Sequence, residues 1–422
     1  MRIWILKDGE TLPIDGKDAN RLLRAGLIAD ELVKRNHKVV WWTSSFSHFK
    51  KEFRTNCDEG VKIIPNYLIR QLHGPGYQKN ISLKRIFHNR IIAKKFLQAA
   101  EKEERPDVIF AALPTTELAL AATQYGQQYN VPVILDLRDM WPDILLDVAP
   151  KILRPLARVA LSWQFNIVQK ACKSATGLVG ITSMFLKWGL GYAARDKNKF
   201  DAIYPIAYID NKPDAKSLVE ARSFFEQLGI FKKNKEIIIS YVGSLNMTYR
   251  IDWLIDAIKK MDKSIKLVIC GSGPLLSGYK KQAQDYSNII FTGWIDKSKI
   301  WHLLRVSNLG VSPHNKRADA KLLLTNKVAE YLSAGLPVLT NLPKNGETGK
   351  LLLKNKCGFC FNFNDPTNLV KILVKIKNDT KLLKNMSKNA RALYEREFIA
   401  KKVYGELCDH LESVLNSCNI CV

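Results

Sequence analysis

Between Leu324 and Thr340 the chain reads LTNKVAEYLSAGLPVLT, a predicted helix, a turn at Gly335-Leu-Pro337 and an apolar strand. Two of its residues could do chemistry. Lys327 stands at the helix start, where the macrodipole is positive and backbone N–H groups point outward, so phosphate charge is favoured there. Glu330 lies three residues on, on the same helix face, and can accept hydrogen bonds from ribose hydroxyls. The pair suits a sugar nucleotide. The competing reading is an exposed Glu on an ordinary amphipathic helix.

Three strand ends in the second half carry small residues: Tyr241-Val-Gly243-Ser244, Cys270-Gly271-Ser272-Gly273-Pro274 and Phe291-Thr-Gly293-Trp294. Glycine there admits positive φ and lets backbone amides face an anion or a base edge. One such turn says little, since glycine ends many strands for packing reasons; the series says more.

In the first half, Leu135-Asp136-Leu-Arg138-Asp139-Met-Trp141-Pro-Asp143 places acids, an Arg and a Trp at the end of an apolar strand. Unpaired charges are costly to bury, so they are expected to face a cleft. Arg138 could hold a phosphate and Asp139 orient a sugar hydroxyl; a structural Arg–Asp pair is the alternative. The loop Lys7 to Asp18, with Gly16, is longer and more polar than a minimal strand-to-helix connection, a feature of functional loops. It lacks GxGxxG, which argues against a dehydrogenase. Aromatics and cations interleave from Trp41-Trp42 to Arg54, and basic residues recur at Lys84, Arg85, His88, Arg90, Lys94 and Lys95. Such surfaces suit an anionic membrane interface or a nucleic-acid backbone, and a solvated helix face is the plain alternative for the second cluster.

These residues need a scaffold. A chain of 422 residues exceeds what one core usually supports, so two domains are expected. Short apolar runs alternate with helical patterns, the mark of parallel sheets with helices on both faces. Strands are expected at Arg2–Leu6, His37–Trp42, Val61–Pro65, Asp107–Ala111, Val131–Asp136 and Gly177–Ile181, then at Glu236–Val242, Ile265–Cys270, Asn288–Phe291, Leu309–Ser312, Leu336–Thr340 and Gly358–Phe361. The fold class is therefore α/β, with two doubly wound Rossmann-like domains in tandem and C-terminal helices. The expected bounds are 1–210 for the first domain, 211–235 for a linker, 236–398 for the second domain and 399–422 for a last helix and tail packing back toward the first. Ligand is expected in the cleft between the domains, outside the strand carboxyl ends.

The net charge of +25 calls for an anionic partner: phosphate, anionic lipid or nucleic acid. The eight cysteines have no regular spacing, and the CxxC at Cys357–Cys360 lacks a second pair or a histidine companion, so no metal is expected and the thiols read as reduced. The opening MRIWILKDGE is too short in apolar residues for a signal-peptide core, and no stretch approaches the roughly 18 apolar residues of a membrane span. A cytoplasmic protein that meets a membrane only from its inner surface is the expectation.

The tandem layout, Gly271-Ser-Gly-Pro274 and Glu330-Tyr-Leu-Ser-Ala-Gly-Leu-Pro337-Val resemble the GT-B glycosyltransferases of family 4. Asp136-Leu-Arg-Asp-Met-Trp-Pro-Asp143 and Phe363-Asn-Asp365-Pro366 add to the likeness, and the opening segment is similar to a bacterial subgroup that builds O-antigen, capsule and other surface polysaccharides. The resemblance implies a retaining transferase that moves a sugar from a nucleotide-diphosphate sugar, with UDP as the expected carrier, to a lipid-linked saccharide at the membrane, with no bound cofactor or metal. It implies the nucleotide in the second domain and the acceptor in the first. The donor would meet Gly16, Gly243, Ser244, Gly271, Ser272, Gly273, Pro274, Thr325, Asn326 and Glu330, and catalysis would fall to Arg138, Asp139 and Lys327. The chain departs from the family pattern at Leu322, where an acid is usual, at Ser244 and Tyr249, where Arg and Lys are usual, and at Arg138, where a His is common. That leaves Arg250, Arg317, Lys321 or Lys327 to neutralise the diphosphate. A nucleotide-sugar epimerase of the same fold and a basic nucleic-acid-binding protein are the alternatives; against the latter, the cations are spread along the chain and no nucleic-acid-binding motif occurs.

Overall fold

A computed structural model describes residues 1–16, 22–147, 149–232, 236–315, 318–362 and 366–419. The chain forms two compact units: Met1–Pro205 together with Ala400–Val422, and Ile206–Ile399.

The first unit is built on an eight-stranded sheet. Its strands are β1 (Arg2–Leu6), β2 (Lys38–Ser44), β5 (Glu59–Ile64), β6 (Tyr67–Leu72), β7 (Val108–Leu113), β8 (Val133–Leu137), β9 (Gly177–Gly180) and β10 (Ala202–Ile203), while β3 (Phe46–Ser47) and β4 (Glu52–Phe53) form a separate hairpin. The order is β10-β9-β8-β7-β1-β2-β6-β5, parallel except for β5 against β6. The central strands VIFAAL and VILDL are buried throughout, which is why they read as unbroken apolar runs rather than alternations. Tyr67–Leu72 and Ala202–Ile203 escaped the sequence reading because the first alternates with polar residues and the second is only two residues long.

The aromatic–basic segment from Trp41 is not the membrane face expected of it. Trp41 and Trp42 are fully buried on β2, where Trp42 meets Trp4 edge-on at 5.2 Å and the Trp41 Nε1–H donates to the Lys7 carbonyl at 2.8 Å. Phe46 and His88 are buried as well. Adjacent tryptophans on a strand covered on both sides are core, whatever cations flank them in sequence.

The helix Ala400–Asn419 belongs to this first unit. Arg35, in the residue that closes the helix Arg24–Lys34, donates to Asp409 at 2.5 Å, to Glu412 at 3.1 Å and to the Gly405 carbonyl at 3.0 Å.

The second unit carries a six-stranded parallel sheet of β11 (Ile237–Val242), β12 (Ile265–Cys270), β13 (Ile289–Gly293), β14 (Leu309–Ser312), β15 (Val338–Thr340) and β16 (Gly358–Cys360), in the order β13-β12-β11-β14-β15-β16. Strand order reverses between β11 and β14, the switch point at which open α/β sheets bind ligands. Residues 211–232, expected as linker, contain the helix Ala215–Gln227, which belongs to this unit; its Phe225 is fully buried and stacks on His302 at 5.8 Å. Cys357 and Cys360 flank and end the edge strand β16, and burial pushes their thiols up to about 12 and about 11. Protonated, buried thiols pack as small apolar groups. Among the described residues no group of three or more His, Cys, Asp or Glu side chains could hold a metal ion.

Candidate functional site

The carboxyl ends of β11, β12 and β14 and the start of the helix Asn326–Ser333 converge in the second unit. Gly271 has φ +141°, and a Cβ there would lie 1.9 Å from the Gly243 carbonyl oxygen, so glycine alone fits. The loops are laced by main chain: Gly243 N donates to Cys270 O at 2.9 Å, Leu245 N to Ser272 O at 2.9 Å and Gly271 N to Gly293 O at 2.8 Å. These loops leave Ser244, Ser272, Gly273 and Pro274 exposed, side by side.

Lys327 reaches into this arrangement. Its Nζ sits 4.0 Å from the centre of the Tyr249 ring, and a Cβ on Gly243 would come within 2.7 Å of the same Nζ. A cation over an aromatic face is attracted by the ring quadrupole, which fixes where its charge sits. Tyr249, the residue that stands where the resemblance expects Lys, therefore steadies the Lys on the neighbouring helix. The phenol of Tyr241 donates to the Ser244 carbonyl at 2.7 Å and closes the turn behind it.

Thr325 and Asn326 lead into the helix, Asn326 exposed and Thr325 with its hydroxyl 3.4 Å from that of Ser312. No side chain caps the helix start, where the macrodipole favours an anion, and the Val328 amide already donates to the Thr325 carbonyl at 3.0 Å. Glu330 is only 3% exposed, on the buried side of the helix, and Leu322 is buried too. His314, two residues beyond β14, was not singled out in the sequence. It is buried, meets Tyr249 edge-on at 5.5 Å, and its main chain exchanges hydrogen bonds with the Asn341 amide, accepting from Nδ2 at 2.6 Å and donating to Oδ1 at 2.8 Å. Its place just past a strand end was the available signal. Arg250 is paired with Asp252 at 2.8 Å, Lys321 is exposed, and Arg317 and the run Phe363–Asp365 lie outside the described residues.

The first unit gathers the other residues singled out. At the ends of β1 and β8, Asp136 is fully buried and takes a two-pronged contact from Arg24, Nε to Oδ2 and Nη2 to Oδ1, both 3.0 Å. Arg24 also donates to the carbonyls of Tyr204 and Pro205 at 2.9 Å. Arg138 binds Asp136 with Nε and Glu10 with Nη1, while Glu10 accepts from Ala25 N at 3.0 Å. Burial alone would raise the Asp136 carboxyl, but Arg138 and Arg24 overrule it and hold it below its usual range. The Nη2 of Arg138 is buried with no hydrogen-bond partner. Asp139 folds back locally, accepting from Met140 N at 2.8 Å. Gly16 has φ +61° and open space around it; residues 17–21 of its loop lie outside the described residues.

A set of polar residues beside this network also went unnoticed in the sequence. Burial, reinforced by Arg138, lowers the Lys7 ammonium, whose Nζ donates to Pro114 O at 3.2 Å. His48 lies 2.6 Å from the Tyr77 hydroxyl, and burial followed by Lys51 and Arg85 pushes its imidazole down to about 4.

Residues 223–393 match the family model described as glycosyl transferases group 1. The span holds the whole of the strand-end site in the second unit. No curated protein sequence matches the chain. Among solved structures, sucrose-phosphate synthase from Thermosynechococcus elongatus superposes with a TM-score of 0.73 at 15% identity, covering 99% of each chain. HepE from Anabaena in complex with UDP gives 0.67 at 14% identity, over 98% of this chain and 100% of that one. WaaG, a glycosyltransferase involved in lipopolysaccharide biosynthesis, gives 0.64 at 16% identity, over 97% and 99%. The fold is that of the GT-B enzymes, and the match to the group 1 family model supports a glycosyltransferase.

Proposed function

We propose that the protein is a retaining glycosyltransferase that moves a sugar from a UDP-linked donor to a lipid-linked saccharide at the inner face of the cytoplasmic membrane, in surface-polysaccharide biosynthesis. One observation carries the reading: Lys327 Nζ rests on Tyr249 against Gly243 at an uncapped helix start, a position suited to a diphosphate. In this reading Glu330 holds the ribose, and Gly271, Ser272, Gly273 and Pro274 border the base. The UDP complex of HepE supports the nucleotide, and WaaG supports the pathway class.

The bond from the anomeric carbon to the diphosphate oxygen breaks with its electron pair going to that oxygen. Lys327 and the helix amides stabilise the charge that develops there, and fixed cations in such a place act without reorganising. The acceptor hydroxyl attacks from the same face, forms the new bond and passes its proton to the departing phosphate oxygen, so configuration is retained without a carboxylate nucleophile. Asp139 orients the acceptor hydroxyl. Arg138, already committed to Asp136 and Glu10, shapes the acceptor side through that network. The basic net charge and exposed Leu83, Phe87, Leu156 and Val159 support a peripheral membrane position; among the described residues no helix is long and apolar enough to cross a membrane.

The test is a panel of nucleotide sugars scored for thermal stabilisation, followed by transfer from the best one to a lipid-diphosphate saccharide. Stabilisation by a UDP-sugar and acceptor-dependent release of UDP are expected. Conversion of the nucleotide sugar with no acceptor present would establish an epimerase instead, and tight salt-sensitive binding to DNA or RNA would overturn both.

A further inference from the structure

A cavity of about 390 Å³ opens within the first unit, among the helices Leu83–Ala100, Thr116–Tyr129 and Ser162–Ser174 and the segment after β8. Its size is that of a small-molecule site. Its walls include Leu83, Ile86, Trp141, Leu145 and Leu161, and its polar floor is closed upon itself. The Glu117 carboxylate, 6% exposed, accepts from Gln164 Nε2 at 2.7 Å, Thr116 Oγ1 at 2.9 Å and Asn89 Nδ2 at 3.4 Å. With those groups engaged by one another, the space left is apolar.

The mouth differs from the interior. Leu83 is 83% exposed and Ile81 53%, both at the rim, and Ile152, Leu156 and Val159 are exposed on the chain that leads to Leu161. Soluble proteins seldom leave so many large apolar side chains together in water without a use for them. Arg85, also at the edge, lies 4.8 Å over the Trp141 ring and 5.6 Å over the Tyr77 ring, and Lys51 lies 4.6 Å over that same Tyr77 ring. Two cations thus share the Tyr77 ring, and both also donate to Asn80, Arg85 to its carbonyl at 2.8 Å and Lys51 to its Oδ1 at 2.6 Å, with Arg85 itself lining the apolar hole.

We propose that the cavity holds the hydrocarbon chain of the acceptor's lipid carrier, with the carrier's phosphate at Arg85 and Lys51. The assignment rests on the lipid-linked acceptor proposed above. An amphiphile is the ligand class that satisfies both halves: the chain removes Leu83, Ile86 and Leu161 from water, and the phosphate meets two half-exposed cations held against rings.

The full-length protein is titrated with decyl phosphate below its micellar concentration, with inorganic phosphate as the headgroup probe and UDP as the control for an intact second unit. Decyl phosphate binding is expected to weaken by about tenfold or more in Leu161→Trp, which fills the cavity, and in Leu83→Glu, which charges its rim. Arg85→Ala is expected to cost about tenfold, the loss of one charge-assisted contact, and inorganic phosphate to bind far more weakly than the alkyl ester. Leu83 projects into solvent, so that variant keeps the fold even where a cavity-filling one does not. Unchanged decyl phosphate affinity in Leu83→Glu and Leu161→Trp, inorganic phosphate binding as tightly as decyl phosphate, or displacement of decyl phosphate by a free oligosaccharide would each overturn the assignment. Failure of decyl phosphate with UDP still bound removes the cavity assignment and leaves the transferase standing. Decyl phosphate bound as expected, with no nucleotide or nucleotide sugar bound, does the reverse.

Discussion

Both units gather cations near the carboxyl ends of their central strands, and the two sets are held in opposite ways. In the first unit Arg24 and Arg138 are spent on Asp136 and Glu10, deep at the ends of β1 and β8. In the second, Lys327 is balanced on the face of Tyr249 beside an uncapped helix start. A guanidinium with two carboxylates in the interior fixes backbone geometry, and its charge is largely cancelled before any ligand arrives. An ammonium on a ring is placed by a neutral partner, and the ring does not cancel its charge. The difference separates a positioning network from a binding group, although both use basic residues gathered near the ends of buried strands.

The comparison is most exposed to Asp136→Ala. Removing the carboxylate strands Arg24 and Arg138 as buried unpaired charges, and breaking such a pair typically costs about 3–5 kcal/mol. Chemical denaturation should report a loss of that size, with UDP affinity unchanged in whatever fraction remains folded. A loss below about 1 kcal/mol would place the network near solvent and erase the contrast.

Lys327→Ala should behave the other way round. Turnover is expected to fall by about 10²–10³-fold, the effect of deleting one preorganised group that meets developing charge, with the thermal midpoint little changed. Ser333→Ala, on the same helix, removes only a buried hydroxyl donated to the Glu330 carbonyl at 2.7 Å and should leave turnover near the parent value. Equal activity in the two variants would sink the assignment of Lys327.

The smallest expected effect is a pH dependence in the first unit. The His48 imidazole sits at about 4 in the fold and at 6.5 when free, so the unfolded chain binds the proton first as pH falls. Stability from this group is full above pH 6.5 and declines as pH falls toward 4. His48→Gln should flatten that part of a stability–pH curve. The stability from Asp136 is full above the ordinary carboxylate range and is lost only as pH falls below it. A curve unchanged by His48→Gln would mean that the imidazole stays solvated.

Much of the architecture was legible in sequence. Arg2–Leu6, Ile265–Cys270 and Leu309–Ser312 appear with the expected bounds because a parallel strand covered on both faces is a short apolar run that stops where the chain turns. The glycines after β11 and β12 were legible for the same local reason: the turn needs φ values that a side chain resists. Tyr249 was read as a departure from a pattern, and its role as the rest for Lys327 was out of reach, since 78 positions of chain separate two side chains that meet only when β11 and the helix after β14 are packed.

By itself, then, the sequence determined two α/β units, the strand ends that carry function, and a basic chain in want of an anionic partner. Tertiary structure alone decided which charges are spent on one another in the interior. Arg138 and Glu10 lie 128 positions apart and Trp41 looked like a surface aromatic, yet folding joins the first two and buries the third. Local patterns are written by backbone conformation and water, whereas ion pairing and burial depend on which distant segments the fold brings together.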